Sequence, residues 1–320
     1  MWFRNTLQVV EAKVGGHEYR SAPLQFRPIV FVAAIASATI AMPAAPAASE
    51  NSGRATARAT AARHTSSAEV IGRDVSFPQC GGAMPREQTA AFGILGTNNG
   101  TSFTRNPCLV TQLAWAKRLA SPPAFYANTG NPGPHRAKHW PIGQTSPRLC
   151  ASSDPNSLGC SYDYGWNAAW QSYTAAVDAA QRLHGVDRVN ARHRAANVDW
   201  WLDVETMNSW QAIDGRATGA AQLRDVATIA GEVDALRAAG VQHVGIYSTA
   251  YQWSQITGGS KVTQGRFAGA PQWLAGYASH AAAAAGCAHG GFTGGPVRMT
   301  QYLGADGFDA DVVCTDRNHT

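Results

Sequence analysis

The chain has 320 residues, 45% of them hydrophobic and 15% charged, with a net charge of +5. That balance suits a globular protein with a sizeable core and excludes a heavily charged disordered chain. There is no basic stripe of the kind that tracks nucleic acid, and no apolar run of the roughly 18 residues that a membrane span needs.

Arg20 and Arg27 precede the apolar run "PIVFVAAIASATIAM" (28–42), and "APA" (45–47) supplies a small-residue cleavage site. Residues 1–47 therefore read as a secretory signal peptide, with an uncleaved anchor as the alternative, for which the run is short. The segment ahead of the run is long for a signal, so a start downstream of Met1 also fits. Residues 48–70, rich in Ala, Ser, Thr and Arg without apolar periodicity, read as a flexible linker. Loss of 1–47 removes four basic and two acidic residues and takes the charge to +3.

From residue 71 onward short strand-like runs alternate with longer helical ones. In chain order they are "VIGRDVS" (70–76), "FGILGTNNG" (92–100), the helix candidate "CLVTQLAWAKRLA" (108–120) and "AFYANTG" (124–130). Next come the amphipathic helix "WNAAWQSYTAAVDAAQRL" (166–183), "VDWWLDVE" (198–205), the helix "AQLRDVATIAGEVDALRAAG" (221–240) and "HVGIYS" (243–248). "QWLAGY" (272–277), "VRMTQYL" (297–303) and "FDADVV" (308–313) follow with no long helix between them. Strand–helix alternation implies a parallel sheet, and eight strand candidates imply an α/β barrel of TIM type, irregular in its helix-poor last third. The domain would run over 71–320. Its one long connection, about 130–165, is rich in Pro, Gly, Ser and Asn, and reads either as an ordered flap or as a dispensable insertion.

All six cysteines, Cys80, Cys108, Cys150, Cys160, Cys287 and Cys314, follow the leader, and an even number in an exported chain implies disulfides. Many pairings are open; joining neighbours across one connection favours Cys80–Cys108, Cys150–Cys160 and Cys287–Cys314. His135 and His139 stand four apart in "HRAKH", but the Pro and Gly around them argue against a helix and no CxxC accompanies them, so no metal is expected. The chain also lacks a GxGxxG turn opening a helix, a P-loop, HExxH and a G-x-S-x-G elbow, and no cofactor is expected.

The stretch "WWLDVETMNSW" (200–210) ends an apolar run with two acids. Side chains two apart share one face of a strand, so Asp203 and Glu205 project together and Val204 faces the other way. At the C-terminal end of a barrel strand that is where active sites form. Two acids side by side repel, which raises the proton affinity of at least one and keeps a proton donor beside a charged carboxylate. Cleavage of a glycosidic bond uses that pairing. Asp74 ends the first strand, Asp309 and Asp311 share a face of the last, and Tyr126, Tyr247, Tyr277 and Tyr302 stand near strand ends, with Trp210, Trp253 and Trp273 nearby. Flat rings and acids together make a sugar cleft. Against this, such tyrosines are commonly ordinary half-buried strand residues, and the acids could be a solvated turn or a helix cap, Asp311 a surface residue.

In this order, "DVS" (74–76) with Gln79, "LDVE" (202–205), "GIYSTAYQW" (245–253), "QWLAGY" (272–277) and "TQYLGADGFDADVV" (300–313) resemble glycoside hydrolase family 25, the lysozymes or N-acetylmuramidases that cleave peptidoglycan. The likeness covers about 71–314 and is closer still to secreted actinobacterial proteins carrying such a domain. The resemblance implies five β/α units followed by three strands. It implies Glu205 as general acid and Asp203 as the carboxylate that positions the substrate's 2-acetamido group, itself the internal nucleophile. By the same likeness Asp74 and Asp309 line the site and Tyr126 is an aromatic at the end of strand three. Where the family has a lysine–alanine–threonine–glutamate–glycine run, this chain has Gly96-Thr97-Asn98-Asn99-Gly100, and the 130–165 insertion is atypical, which bears on substrate choice.

The expectation is a secreted, monomeric, retaining glycosidase of cell-wall peptidoglycan that binds no nucleic acid and has no membrane span once the signal is removed. A small positive charge does not oppose an anionic wall. Two other readings remain open: a non-catalytic cell-wall glycan-binding module, and a glycosidase of another surface polysaccharide. A pure binder has no chemical need for the full set of acids.

Overall fold

A computed structural model describes residues 70–314 apart from 215–217, 260–262 and 264. The leader and linker expectations fall outside this description, except at Val70.

Eight strands form a closed barrel in sequence order. They are β1 (Ile71–Val75), β2 (Phe92–Gly96), β3 (Ala124–Asn128), β4 (Trp200–Asp203), β5 (Val244–Ser248), β6 (Gln272–Tyr277), β7 (Val297–Leu303) and β8 (Asp309–Val313). Helices α1 (Leu109–Ala116), α2 (Leu158–His184), α3 (Arg188–Ala196), α4 (Gln211–Asp214), α5 (Gly219–Ala238), α6 (Ala250–Thr257) and α7 (His280–Gly286) lie between strands, the long ones before β6. The expected α/β barrel with a helix-poor last third is therefore the fold. No helix among the described residues is long and apolar enough to cross a membrane.

Two expectations are corrected. β8 runs antiparallel to both β7 and β1, because only residues 304–308 link β7 to β8 and so short a link makes a hairpin, not a crossover. α2 begins at Leu158, eight residues before the amphipathic pattern suggested, capped by Ser157, whose hydroxyl accepts from the Cys160 amide at 3.2 Å. The irregular connection is thus shorter than 130–165. It is also ordered by its own contacts: Trp140 donates to the Pro155 carbonyl at 2.6 Å, and Gln144 accepts from Asn167 at 2.8 Å. Disulfides join Cys80 to Cys108, Cys150 to Cys160 and Cys287 to Cys314.

The period-2 alternation of the strands builds two cores. Leu95, Phe125, Trp200, Leu202, Val204 and Ile246 face the helices, whereas Phe92, Ile94, Trp201, Trp273 and Met299 fill the barrel. The interior rings fit because glycines sit beside them: a Cβ at Gly72 would collide with Phe92, at Gly96 with Tyr126, and at Gly245 with Trp201. Outside the barrel, α2 and α5 pack backbone to backbone, since a Cβ at Gly231 would overlap the Tyr162 carbonyl and one at Gly165 the Thr228 carbonyl. Gly231→Ala is therefore expected to cost about 1–3 kcal/mol, read as a lower denaturation midpoint. Gly219→Ala, where nothing lies within 4 Å of the added carbon, should cost nothing measurable.

Candidate active site

The acids meet at one end of the barrel. Asp74 on β1, Asp203 at the end of β4 and Glu205 two residues later face its mouth. Asp309 reaches the same mouth because β8 is reversed, so that its first residue pairs with Leu303 at the end of β7. Asp74 is 9% exposed and Asp203 4%, while Glu205 and Asp309 are half-buried. Val204 faces the helices and is buried, which leaves its two acidic neighbours on the inner side.

Asp203 and Glu205 lie close enough on the inner side of the barrel end that each shifts the proton affinity of the other. Two ionised carboxyls this close repel each other, which favours a proton on one of them. Burial, then the Glu205 charge, push Asp203 well above the usual carboxylate range. Burial also raises Glu205, while the neighbouring Gln252 and Asp203 side chains pull it down. Asp203 Oδ2 accepts from the Asn128 side chain. Asn128 is fixed in turn by Asn98, which donates to its carbonyl at 2.9 Å and accepts from its amide at 3.2 Å. Asn98 is fully buried, so the Gly-Thr-Asn-Asn-Gly run serves as a second support for the acid pair.

Across the mouth, the Tyr247 hydroxyl donates to Gln301 Oε1 at 2.7 Å, and Gln301 Nε2 donates to Asp74 at 2.9 Å. The tyrosine thereby fixes which end of the amide meets the acid. Asp74 is still pushed up to about 7, by burial first and then by the charge on Asp309. Burial likewise raises Asp309, against the neighbouring Arg73 cation. Arg73 itself is buried and paired with Asp306 at 3.1 Å. The mouth thus concentrates carboxyls that burial drives toward the neutral form.

Not all the expected residues are here. Tyr126 and Tyr247 point into the barrel and pack around Trp273, at ring distances of 6.2 and 4.4 Å. Tyr277 and Tyr302 face outward: Tyr277 lies against Gly286 of α7 and Tyr302 against His280, 5.5 Å between rings. Trp210 is fully buried and donates to the Glu205 carbonyl at 2.9 Å, so it braces the loop and is closed to a sugar. Trp253 is buried against Phe267 and Phe292 outside the barrel. Asp311, read as a possible surface residue, is 0% exposed inside the barrel, near Asp74 and Asp309.

Other residues were missed. Asn128 and Gln301 occupy inward positions two residues beyond Tyr126 and Met299, so the same alternation that marked the acids pointed to them. Phe77, Met207, Tyr251 and Leu303, 36 to 88% exposed, stand just past β1, β4 and β5 and at the end of β7. They put large apolar side chains on the rim of the acid mouth, and no pattern in the sequence separates them from loop residues. A cavity of about 660 Å³ lies at the opposite end of the barrel around Phe92, Trp201 and Met299, away from every acid above. No group of three or more metal-ligating side chains occurs among the described residues.

No known family profile matches the chain, and no curated protein does. Among solved structures it is similar to a muramidase from Trichobolus zukalii, at 18% identity and a TM-score of 0.48, over 78% of this chain and 95% of that one. It is also similar to a bacterial lysozyme from Streptomyces coelicolor (16%, 0.45, covering 78% and 94%) and to a family 25 glycosyl hydrolase from Bacillus anthracis (12%, 0.44, covering 78% and 90%). Identities and scores this low leave function to the chemistry of the residues.

The raised acids make stability depend on pH. A folded chain that keeps its Asp74 proton up to about 7 binds more protons than the unfolded chain between about pH 4 and 7, so stability falls as pH rises through that window. Asp74→Asn is expected to remove a part of that fall on the order of 2–4 kcal/mol, read by comparing denaturant midpoints at pH 4.5 and 7.5. An unchanged slope would show that Asp74 titrates normally.

Proposed function

We propose that this chain is a secreted glycosidase that cleaves peptidoglycan glycan strands, as a muramidase does, with retention at the anomeric carbon. The observation that carries the reading is the pair Asp203 and Glu205, two residues apart at the end of β4, in a barrel mouth lined by Asp74 and Asp309. Carboxyls that flank a glycosidic bond stand about 5–5.5 Å apart in ordinary retaining enzymes and about 6.5–9.5 Å apart in inverting ones. Acids two residues apart on one strand end lie on one side of the bond, so Asp203 is not the nucleophile opposite Glu205.

The substrate's 2-acetamido oxygen fills that role. Glu205 gives its proton to the leaving oxygen as the C–O bond breaks, and the acetamido oxygen closes on the anomeric carbon. Asp203, aimed by Asn128, accepts a hydrogen bond from the acetamido N–H and balances the positive charge of the ring so formed. Water, deprotonated by the Glu205 carboxylate, then opens the ring, and two inversions give net retention. Asp74 and Asp309 bind hydroxyls on the far side. The raised proton affinity of both acids suits this sequence, because N–H donation to Asp203 favours its charged form and leaves the proton to Glu205. Three disulfides fit a protein that works outside the cell, at the cell wall.

The test is release of new reducing ends from purified peptidoglycan between about pH 4 and 8. Glu205→Gln should lower the rate by about 10²–10⁴-fold with an unchanged fold, the loss typical of a general acid. Equal rates in the two proteins would remove the assignment. Saturable binding without reducing ends at any pH would instead make the domain a glycan-binding module, and silence on both counts would point to another polysaccharide. Asn128→Ala should lower kcat roughly tenfold or more while KM changes little, and should shift the pH profile, because Asp203 loses the donor that steadies its charged form. The anomer first released, followed by NMR, checks retention; the inverted anomer would assign the second carboxylate to Asp74 or Asp309 acting through water.

A further inference from the structure

The connection between β3 and α2 stands beside the acid mouth. It is pinned to the loop that follows Glu205: the Asn131 amide donates to the Ser209 carbonyl at 2.7 Å, the Arg136 guanidinium to the Ser209 hydroxyl at 3.3 Å, and Gln211 to Asn131 at 2.9 Å. Farther along, Cys150–Cys160 ties it to the first turn of α2, and His139 stacks on Phe103 at 4.8 Å. Its tip is held at a fixed place relative to Glu205.

That tip carries His135, Arg136, Lys138 and His139 within five residues, and all four are at least partly exposed. Asp154 is the one acid between 131 and 157. Arg73, on β1, pairs with Asp306 at 3.1 Å, and Arg105, after β2, with Asp178 at 2.7 Å. Lys138 has no ion pair among the described residues. A glycan whose substituents carry negative charge would be repelled by any ionised acid of the mouth, and a rigid basic tip alongside offsets that repulsion.

We propose that His135, Arg136, Lys138 and His139 form an anion-binding subsite that takes carboxylates carried on the substituents of the glycan strand, as peptide stems do. This rests on the reading of the mouth as a glycan cleft. The contact is ionic and open to solvent, so it supplies affinity and selection among strands without taking part in bond cleavage. The insertion thereby matches the cleft to decorated strands over bare ones.

The test titrates the full chain carrying Glu205→Gln, with and without Arg136→Gln and Lys138→Gln together, with three soluble glycan-strand preparations. One keeps its peptides, one has had them removed enzymatically, and one keeps its peptides after phosphate-containing polymers are stripped off. The double variant is expected to bind both peptide-bearing strands about five- to tenfold more weakly, down to the level of the bare strands, and to lose most of the salt dependence. Equal affinity of both proteins for every strand would overturn the subsite while leaving the glycan reading in place. A loss that follows the phosphate polymers would overturn the carboxylate assignment. Failure of all strands to bind either protein would remove the glycan reading and the subsite together. Because Arg136 also contacts the Ser209 hydroxyl, Lys138→Gln alone, which leaves that contact in place, should show part of the same loss at a matching melting temperature.

Discussion

The structure turns on carboxyl groups placed together where water is scarce. Asp74, Asp203 and Asp311 are buried, Glu205 and Asp309 half-buried, and the nearby cation, Arg73, is already paired with Asp306. So many negative charges cannot coexist in a low dielectric, and the mouth responds by keeping protons. The cost falls on stability at neutral pH, and the gain is a proton held within reach of a bond to be broken.

The fold supplies the conditions for that arrangement. A closed barrel brings the ends of eight strands around one opening, so acids more than 200 residues apart in sequence share it. Below the acids, Trp273, Trp201, Tyr126 and Tyr247 fill the interior, admitted by glycines on neighbouring strands. This dry floor raises the proton affinity of the groups above it. Amides then do the aiming: Asn98 sets Asn128, Asn128 sets Asp203, and Tyr247 sets Gln301, which sets Asp74. Neutral donors steady the acids without adding charges that would cancel the effect.

The placement of Asp203 and Glu205 on one strand end also limits mechanism. It places both on one side of any bond they act upon, so the proposed chemistry needs a nucleophile from the substrate. That links the acid pair to sugars bearing a 2-acetamido group. In the proposed reading, the basic insertion beside the mouth would meet a different part of the same polymer, through charge on its substituents.

The strands, the inward acids and their alternation were legible in the sequence, because period-2 patterning depends only on which residues a strand can bury on each face. Asp74, Asp203, Glu205 and Asp309 could be named from that rule together with motif order. Three outcomes needed the tertiary structure. The reversal of β8 decided that Asp309 stands at the mouth and Asp311 below it, a matter of how a short hairpin closes the barrel. Which aromatic faces the cleft depended on neighbours remote in sequence: α7 takes Tyr277 and Tyr302, and the loop after β4 buries Trp210. The start of α2 at Leu158, ahead of the periodic pattern, followed from a cap at Ser157 and packing against α5. Sequence by itself determined which face each strand residue takes, since that is local; tertiary structure decided what each face meets, since that is set by chain segments far apart.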